Sequence, residues 1–316
     1  MFSVKQASRT EYPMPASSFR KRVKKSLPYY VLIALPLIFL LIFKYYPMLG
    51  AQIAFKDYKV RLGIWGSPWV GWENFTTFFQ SPSSLTIIAN TFILSLYYLI
   101  ASFPIPIIMA IFLNECRSTG FKKFTQMITY MPYFISTVVL VSMILQFTDV
   151  SSSIVNQLIQ AFGGNSVNFM GKVEYFRSIY VWTGIWQSTG YSSIIYLAAL
   201  TGVPLELYEA ARVDGASKFK RILHIDLPHI MPTIITLFIL NTGSILSIGF
   251  EKIYLMQNSI NTPVSEVIST YVYKVGLINS NFSFSTAVGL FNSVVNLVLL
   301  LLVNSLSKKF SDVQVI

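Results

Sequence analysis

Thirteen carboxylates, two histidines and one cysteine are the acid–base, nucleophilic and metal-binding groups of this 316-residue chain, and their spacing supports little catalysis. His224 and His229 stand five apart around Pro228 with no cysteine partner, which does not make a zinc set. No G-x4-G-K-[ST] phosphate loop occurs, so the chain does not bind ATP by that route. No carboxylate pair falls inside an apolar run, which argues against the proton relay of a transporter working alone. Cys116 has no second cysteine for an intramolecular disulfide and is assigned no role.

Two other kinds of residue carry a pattern. Between two apolar runs lies LELYEAARVDGASKFKRILHIDLP, from Leu205 to Pro228. Glu209, Ala210, Ala211, Gly215, Ile225, Leu227 and Pro228 occur there in the spacing E-A-A-x3-G-x9-I-x-L-P. The alanines are small enough for a helix to seat closely in a groove, and Gly215 can take φ > 0 to reverse the chain. Asp214 favours that turn. Lys218, Lys220 and Arg221 then make a second, basic helix, which Pro228 is expected to stop. The product is a compact two-helix knob in which Glu209 serves as a docking charge and not as a general base. An ordinary surface helix pair, or a DNA-reading helix-turn-helix, would share some of these letters. Seven positions at fixed spacing, set between membrane spans, favour a docking element.

The second pattern is polar. Gln187 and Tyr191, Asn241 and Ser244, and Asn292 and Asn296 lie three or four apart within apolar runs, so each pair shares a helix face. Either these faces hydrogen-bond neighbouring helices, or they line a hydrated path in which sugar hydroxyls exchange partners.

The elements that position these residues follow from composition. Hydrophobic residues make up 53% of the chain and charged ones 12%, and the mean hydropathy is +0.58. That describes an all-α, polytopic membrane protein. Residues 1–27 read as a basic, polar tail and 28–316 as the membrane domain. The apolar runs predict six spans, at about 29–54, 85–113, 124–147, 176–201, 229–249 and 284–306. The first is too long for a signal-peptide core and is kept as an anchor. Pro36, Pro104, Pro106 and Pro132 interrupt the first three. Trp65, Trp69 and Trp72 sit in a turn-rich loop, where they suit an interfacial belt or a sugar-stacking platform.

A formal charge of +11 raises the question of nucleic acid, and the distribution answers against it. Sixteen of the 24 Lys and Arg lie in the tail, in loops 114–127 and 202–228, and in the last ten residues; seven lie on the opposite side. Both termini and the 202–228 loop are therefore expected in the cytoplasm.

On the E-A-A pattern the chain resembles the membrane permease subunits of type I ABC importers, whose cytoplasmic EAA loop docks on the ATPase. The basic tail, Y-Y-P-M at Tyr45–Met48 and G-W-E-N-F at Gly71–Phe75 are similar to carbohydrate-uptake permeases. They are closest in character to the oligo- and polysaccharide branch that includes the alginate importer's permease. The resemblance implies a transporter subunit and not an enzyme. It implies coupling through Glu209, Ala210, Ala211, Asp214, Gly215, Ile225, Leu227 and Pro228, no cofactor on this chain, and ATP and Mg on the partner. It also implies a second permease in a heterodimer, two ATPase subunits, an extracytoplasmic solute-binding protein and residence in a bacterial inner membrane. A secondary transporter or channel working alone is the competing class; inverted repeats and intramembrane charges would favour it.

Overall fold

The computed structural model describes residues 19–151 and 153–310. Lys5 and Arg9 of the expected tail lie outside that range, but its last part is already helical. Helix α1 runs Phe19–Leu40 and passes through a π turn at Leu41–Tyr45. Of the described residues, those up to Gln52 form one unit and those from Ile53 onward a second. The first unit's apolar side chains from Leu27 to Leu49 are exposed, the surface expected of a helix solvated by lipid.

The second unit is built from α2 (Glu73–Gln80), α3 (Ser84–Ser102), α4 (Pro104–Glu115), α5 (Thr119–Tyr130), α6 (Thr137–Phe147) and α7 (Ile154–Ala161). There follow α8 (Val173–Leu200), α9 (Leu205–Val213), α10 (Lys218–Arg221), α11 (Leu227–Gly243), α12 (Phe250–Met256), α13 (Ile268–Tyr273) and α14 (Phe282–Phe310). Serines start several of them: Ser118, Ser136, Ser153 and Ser217 each accept a hydrogen bond from a backbone N–H of the first turn.

Among the described residues, four stretches are long and apolar enough to cross a membrane: Ser26–Phe55, Ser84–Glu115, Lys218–Gly243 and Phe282–Leu306. Two bent pairs bring the number to six if each is one span. In the first, the run expected as a single helix over 124–147 breaks by 99° between Thr119–Phe134 and Thr137–Phe147. Pro132 removes a donor, Ile135 turns extended, and Ser136 caps a new helix, so the chain restarts instead of bending. The second pair, Val173–Leu200 and Leu205–Val213, turns by 77° at Pro204.

Pro228 corrects an expectation in the other direction. It does not stop the basic helix, because α10 runs through a π turn, Ile222–Asp226, straight into α11. The Leu227 N–H bonds Ile222 O across that wider turn, and Pro228 falls in the first turn of α11, where its missing N–H costs little. The connection between spans is therefore shorter than 202–228. The expected polar return over 250–283 is largely helical, holding α12, α13 and the π turn Lys274–Ile278.

Helix α8 is the spine of this unit. One buried cluster joins Leu94, Leu140, Ile144, Phe176, Val181 and Ile253, from α3, α6, α8 and α12. A second joins Ile107, Ala110 and Leu113 of α4 to Tyr196, Leu197 and Leu200 of α8 and Ile230 of α11. Gly190 lets α5 approach closely: a Cβ there would stand 2.0 Å from Thr129 O.

Candidate functional site

Helix α8 leaves the core at Leu200 and reaches α9 within five residues. Gly215 follows α9 at φ +69°. The Ala216 N–H bonds Ala211 O at 2.8 Å and the Asp214 N–H bonds Ala210 O at 3.0 Å, which closes α9 over a left-handed glycine. Ser217 caps α10, so α9 and α10 form one knob. Glu209, Ala210, Asp214 and Gly215 are exposed on it, and Ala211 is half-buried. Ile225 and Leu227 are half-buried on the far side of the turn, Leu227 packing on the Ile107 to Ile230 cluster, and Pro228 is exposed.

Two polar contacts hold the knob. The Tyr208 hydroxyl donates to Asp226 Oδ1, and Asp226 is fully buried. Arg221 Nη2 donates to Glu115 Oε2 at 3.2 Å, tying α10 to the end of α4. Burial, and then the Asp226 bond, pushes the Tyr208 hydroxyl from 10.0 up to about 12. The contribution of that bond is present below the ordinary tyrosine pKa and is lost as pH rises through about 12. Asp226 Oδ2 and Arg221 Nε are buried without a hydrogen-bond partner in this conformation.

Along α8, from Tyr180 to Tyr196, lies a cavity of about 900 Å³. It brings together Gln187, Tyr191, Asn241 and Ser244, with Ser95, Tyr98, Tyr133, Ser188, Glu251 and Lys252. Tyr133 stacks on Tyr191 with ring centroids 3.9 Å apart, and Gln187 Nε2 donates to Ile135 O at 2.9 Å, so the break before α6 forms part of the wall. The segment Ser244–Gly249, unwound between α11 and α12, also contributes to the lining.

Asn292 and Asn296 are not among the lining residues. Asn296 is buried; its Oδ1 accepts from the Leu246 N–H at 3.0 Å and its Nδ2 donates to Ser247 Oγ at 3.3 Å. It pins the unwound segment to α14, which satisfies backbone that lipid would leave unpaired. Cysteine placed at Ser188 or Tyr191 is expected to react with a water-soluble maleimide several times faster than cysteine at Asn296. Equal labelling rates in reconstituted protein would refute this division of roles.

Residues 102–312 match the family described as the binding-protein-dependent transport system inner membrane component. The chain belongs to this family. It is 44% identical to the polygalacturonan/rhamnogalacturonan transport system permease protein YteP of Bacillus subtilis (strain 168), covering 93% of this chain and 94% of that one. It is 30% identical to the arabinooligosaccharides transport system permease protein AraP of the same organism, over 91% and 89%. A crystal structure of a bacterial ABC transporter that imports the acidic polysaccharide alginate contains a chain 39% identical to it, with a TM-score of 0.86 over 92% of this chain and 99% of that one. In the crystal structure with an alginate pentasaccharide-bound periplasmic protein the TM-score is 0.87 over 95% of this chain, at 38% identity. The protein is thus a multi-pass ABC importer permease subunit of the inner membrane, and not an enzyme. The reading as a transporter or channel working alone finds no support.

Several residues of this permease site escaped sequence reasoning. Lys252, one of the seven bases that the charge distribution assigns to the side opposite the tail, is buried against α8. Tyr208 stands just before the E-A-A pattern and Asp226 at an unspecified position within it, and no local signal marks them as partners. Glu115 and Arg221, 106 residues apart, gave no local signal either. Among the described residues, no three His, Cys, Asp or Glu side chains gather to hold a metal.

Proposed function

We propose that this subunit forms half of the translocation path for an oligo- or polysaccharide and couples it to a separate ATPase through residues 202–228. One observation carries the reading: α8 both lines the cavity, with Gln187, Ser188 and Tyr191, and leads directly into the exposed knob. A displacement of the knob therefore reaches the cavity wall through one stiff helix. Polar and aromatic side chains on that wall suit sugar rings, whose hydroxyls need hydrogen bonds and whose C–H faces stack on aromatic rings. The similar proteins named for polygalacturonan, arabinooligosaccharide and alginate transport support the substrate class.

The assembly so inferred has a second permease subunit in a heterodimer, two ATPase subunits holding ATP and Mg, and an extracytoplasmic solute-binding protein. No nucleic acid is involved. With six spans and the asymmetry of Lys and Arg, both termini are expected in the cytoplasm. Reporter fusions test this orientation: a fusion after Gly164 is expected to report the outside and one after Ser217 the inside. The reverse result at Ser217 would remove the knob from the ATPase. Uptake itself is tested in vesicles holding both permeases, the two ATPase subunits and the binding protein, with labelled trigalacturonate and galactotriose. If neither sugar accumulates with ATP, the import reading fails.

A further inference from the structure

Lys252 stands in α12, three residues beyond the unwound Ser244–Gly249 segment, and is 8% exposed. Its Nζ donates to Tyr180 O at 3.0 Å and to Thr183 Oγ1 at 2.9 Å, and lies 4.9 Å from the Tyr180 ring centroid. An ammonium has three donors, so one remains. The ion pairs among the described residues are Lys59–Asp57, Arg221–Glu115 and Lys274–Glu266, and none involves Lys252. Carbonyl, hydroxyl and ring supply dipoles but no countercharge. A cation held in an apolar bundle without a counterion is costly, and its retention calls for an anion that arrives there.

The place where an anion would arrive is the cavity. Lys252 is its one lining Lys or Arg among the described residues. Gly184 keeps the approach open, because a Cβ there would stand 3.3 Å from Nζ and 2.9 Å from Tyr98 Cε2. Tyr98, Tyr133 and Tyr191 line the same space. Glu251 lines it too, but is exposed, so water screens its charge more than that of buried Lys252.

We propose that Lys252 contacts the carboxylate of a uronic-acid sugar within the cavity, making this permease selective for anionic over neutral oligosaccharides. The proposal rests on the import reading and narrows it. Two similar proteins point the same way, one named for polygalacturonan and rhamnogalacturonan transport and one described as importing acidic alginate. An exposed lysine exchanges one hydrated anion for another with little gain. A buried one contributes more to discrimination, since a neutral analogue leaves its charge uncompensated.

The test is ATP-driven uptake by the complete reconstituted importer, with trigalacturonate and its methyl ester as probes. Lys252→Gln is expected to lower trigalacturonate uptake about ten-fold or more and to leave the methyl ester within about two-fold, while Lys252→Arg retains most of the preference. Equal loss of both probes in Lys252→Gln, or unchanged trigalacturonate uptake, overturns the proposal. If Lys252→Gln does not assemble, Gly184→Ala, which crowds Nζ but keeps its charge, must show the same selective loss or the proposal fails. A wild-type importer that moves the methyl ester but not the acid refutes the anionic assignment and leaves the import reading standing. One that moves neither probe, nor galactotriose, removes both.

Discussion

Replacing Gly215 by proline is expected to abolish substrate-stimulated ATP hydrolysis by the assembled importer, while the subunit still inserts in the membrane. Gly215 sits at φ +69°, and its N–H reaches Arg212 O at 3.2 Å. Proline fixes φ near −65° and has no N–H, so the knob loses its turn and a hydrogen bond at a cost of ~3 kcal/mol or more. Nothing lies within 4 Å of a Cβ built at this glycine, so a side chain that keeps the N–H meets a penalty of backbone angle alone. That makes a graded series possible. Gly215→Asn, which tolerates the left-handed region, is expected to stay close to wild type, and Gly215→Ala to lose part of the stimulation, at ~1 to 2 kcal/mol. Glu209→Lys reverses an exposed charge without touching the turn and is also expected to uncouple. Stimulated ATPase activity per assembled complex decides the matter: wild-type coupling in Gly215→Pro would show that the knob does not transmit force.

The knob was legible because its requirements are local. A chain reversal after α9 needs a left-handed residue, and Gly215 supplies it within five residues of the alanines. The apolar spans were legible for a similar reason, since lipid demands a continuous run of apolar side chains whatever packs beside them. Proline shows where locality ends. Pro132 breaks its run and Pro228 does not, because a capping serine follows the first and a π turn ahead of the second absorbs the missing donor. Spacing identifies a helix face but not what that face meets. Gln187 with Tyr191 and Asn241 with Ser244 share the cavity, whereas Asn296, on the same arithmetic, holds the backbone of Leu246 from fifty residues away. Lys252 is the extreme case: its partners Tyr180 and Thr183 lie about seventy residues earlier, and only tertiary packing turns a loop base into a buried cation.

The Tyr208 to Asp226 contact is expected to be the joint that fixes the knob's direction, and its loss to reduce stimulated ATP hydrolysis roughly ten- to a hundred-fold. That range corresponds to the ~1.5 to 3 kcal/mol of a hydrogen bond to a charged partner. The contact links α9 to the turn that enters α11, so with it intact α9 and α11 move together. Without it, α9 is held by the four-residue α10 and the Arg221 to Glu115 pair. Asp226→Leu removes a buried carboxylate whose second oxygen already lacks a partner, so it need not destabilise the fold. Tyr208→Phe removes the same bond from the other side, and Asp226→Asn keeps an acceptor and is expected to restore part of the coupling. If the two residues act as one joint, the double variant Tyr208→Phe with Asp226→Leu is no worse than either single one. A merely structural role would lower the yield of assembled complex instead, leaving stimulation per complex unchanged. Stimulated ATPase rates that fall independently and multiply in the double variant would show that Tyr208 and Asp226 do not work through each other.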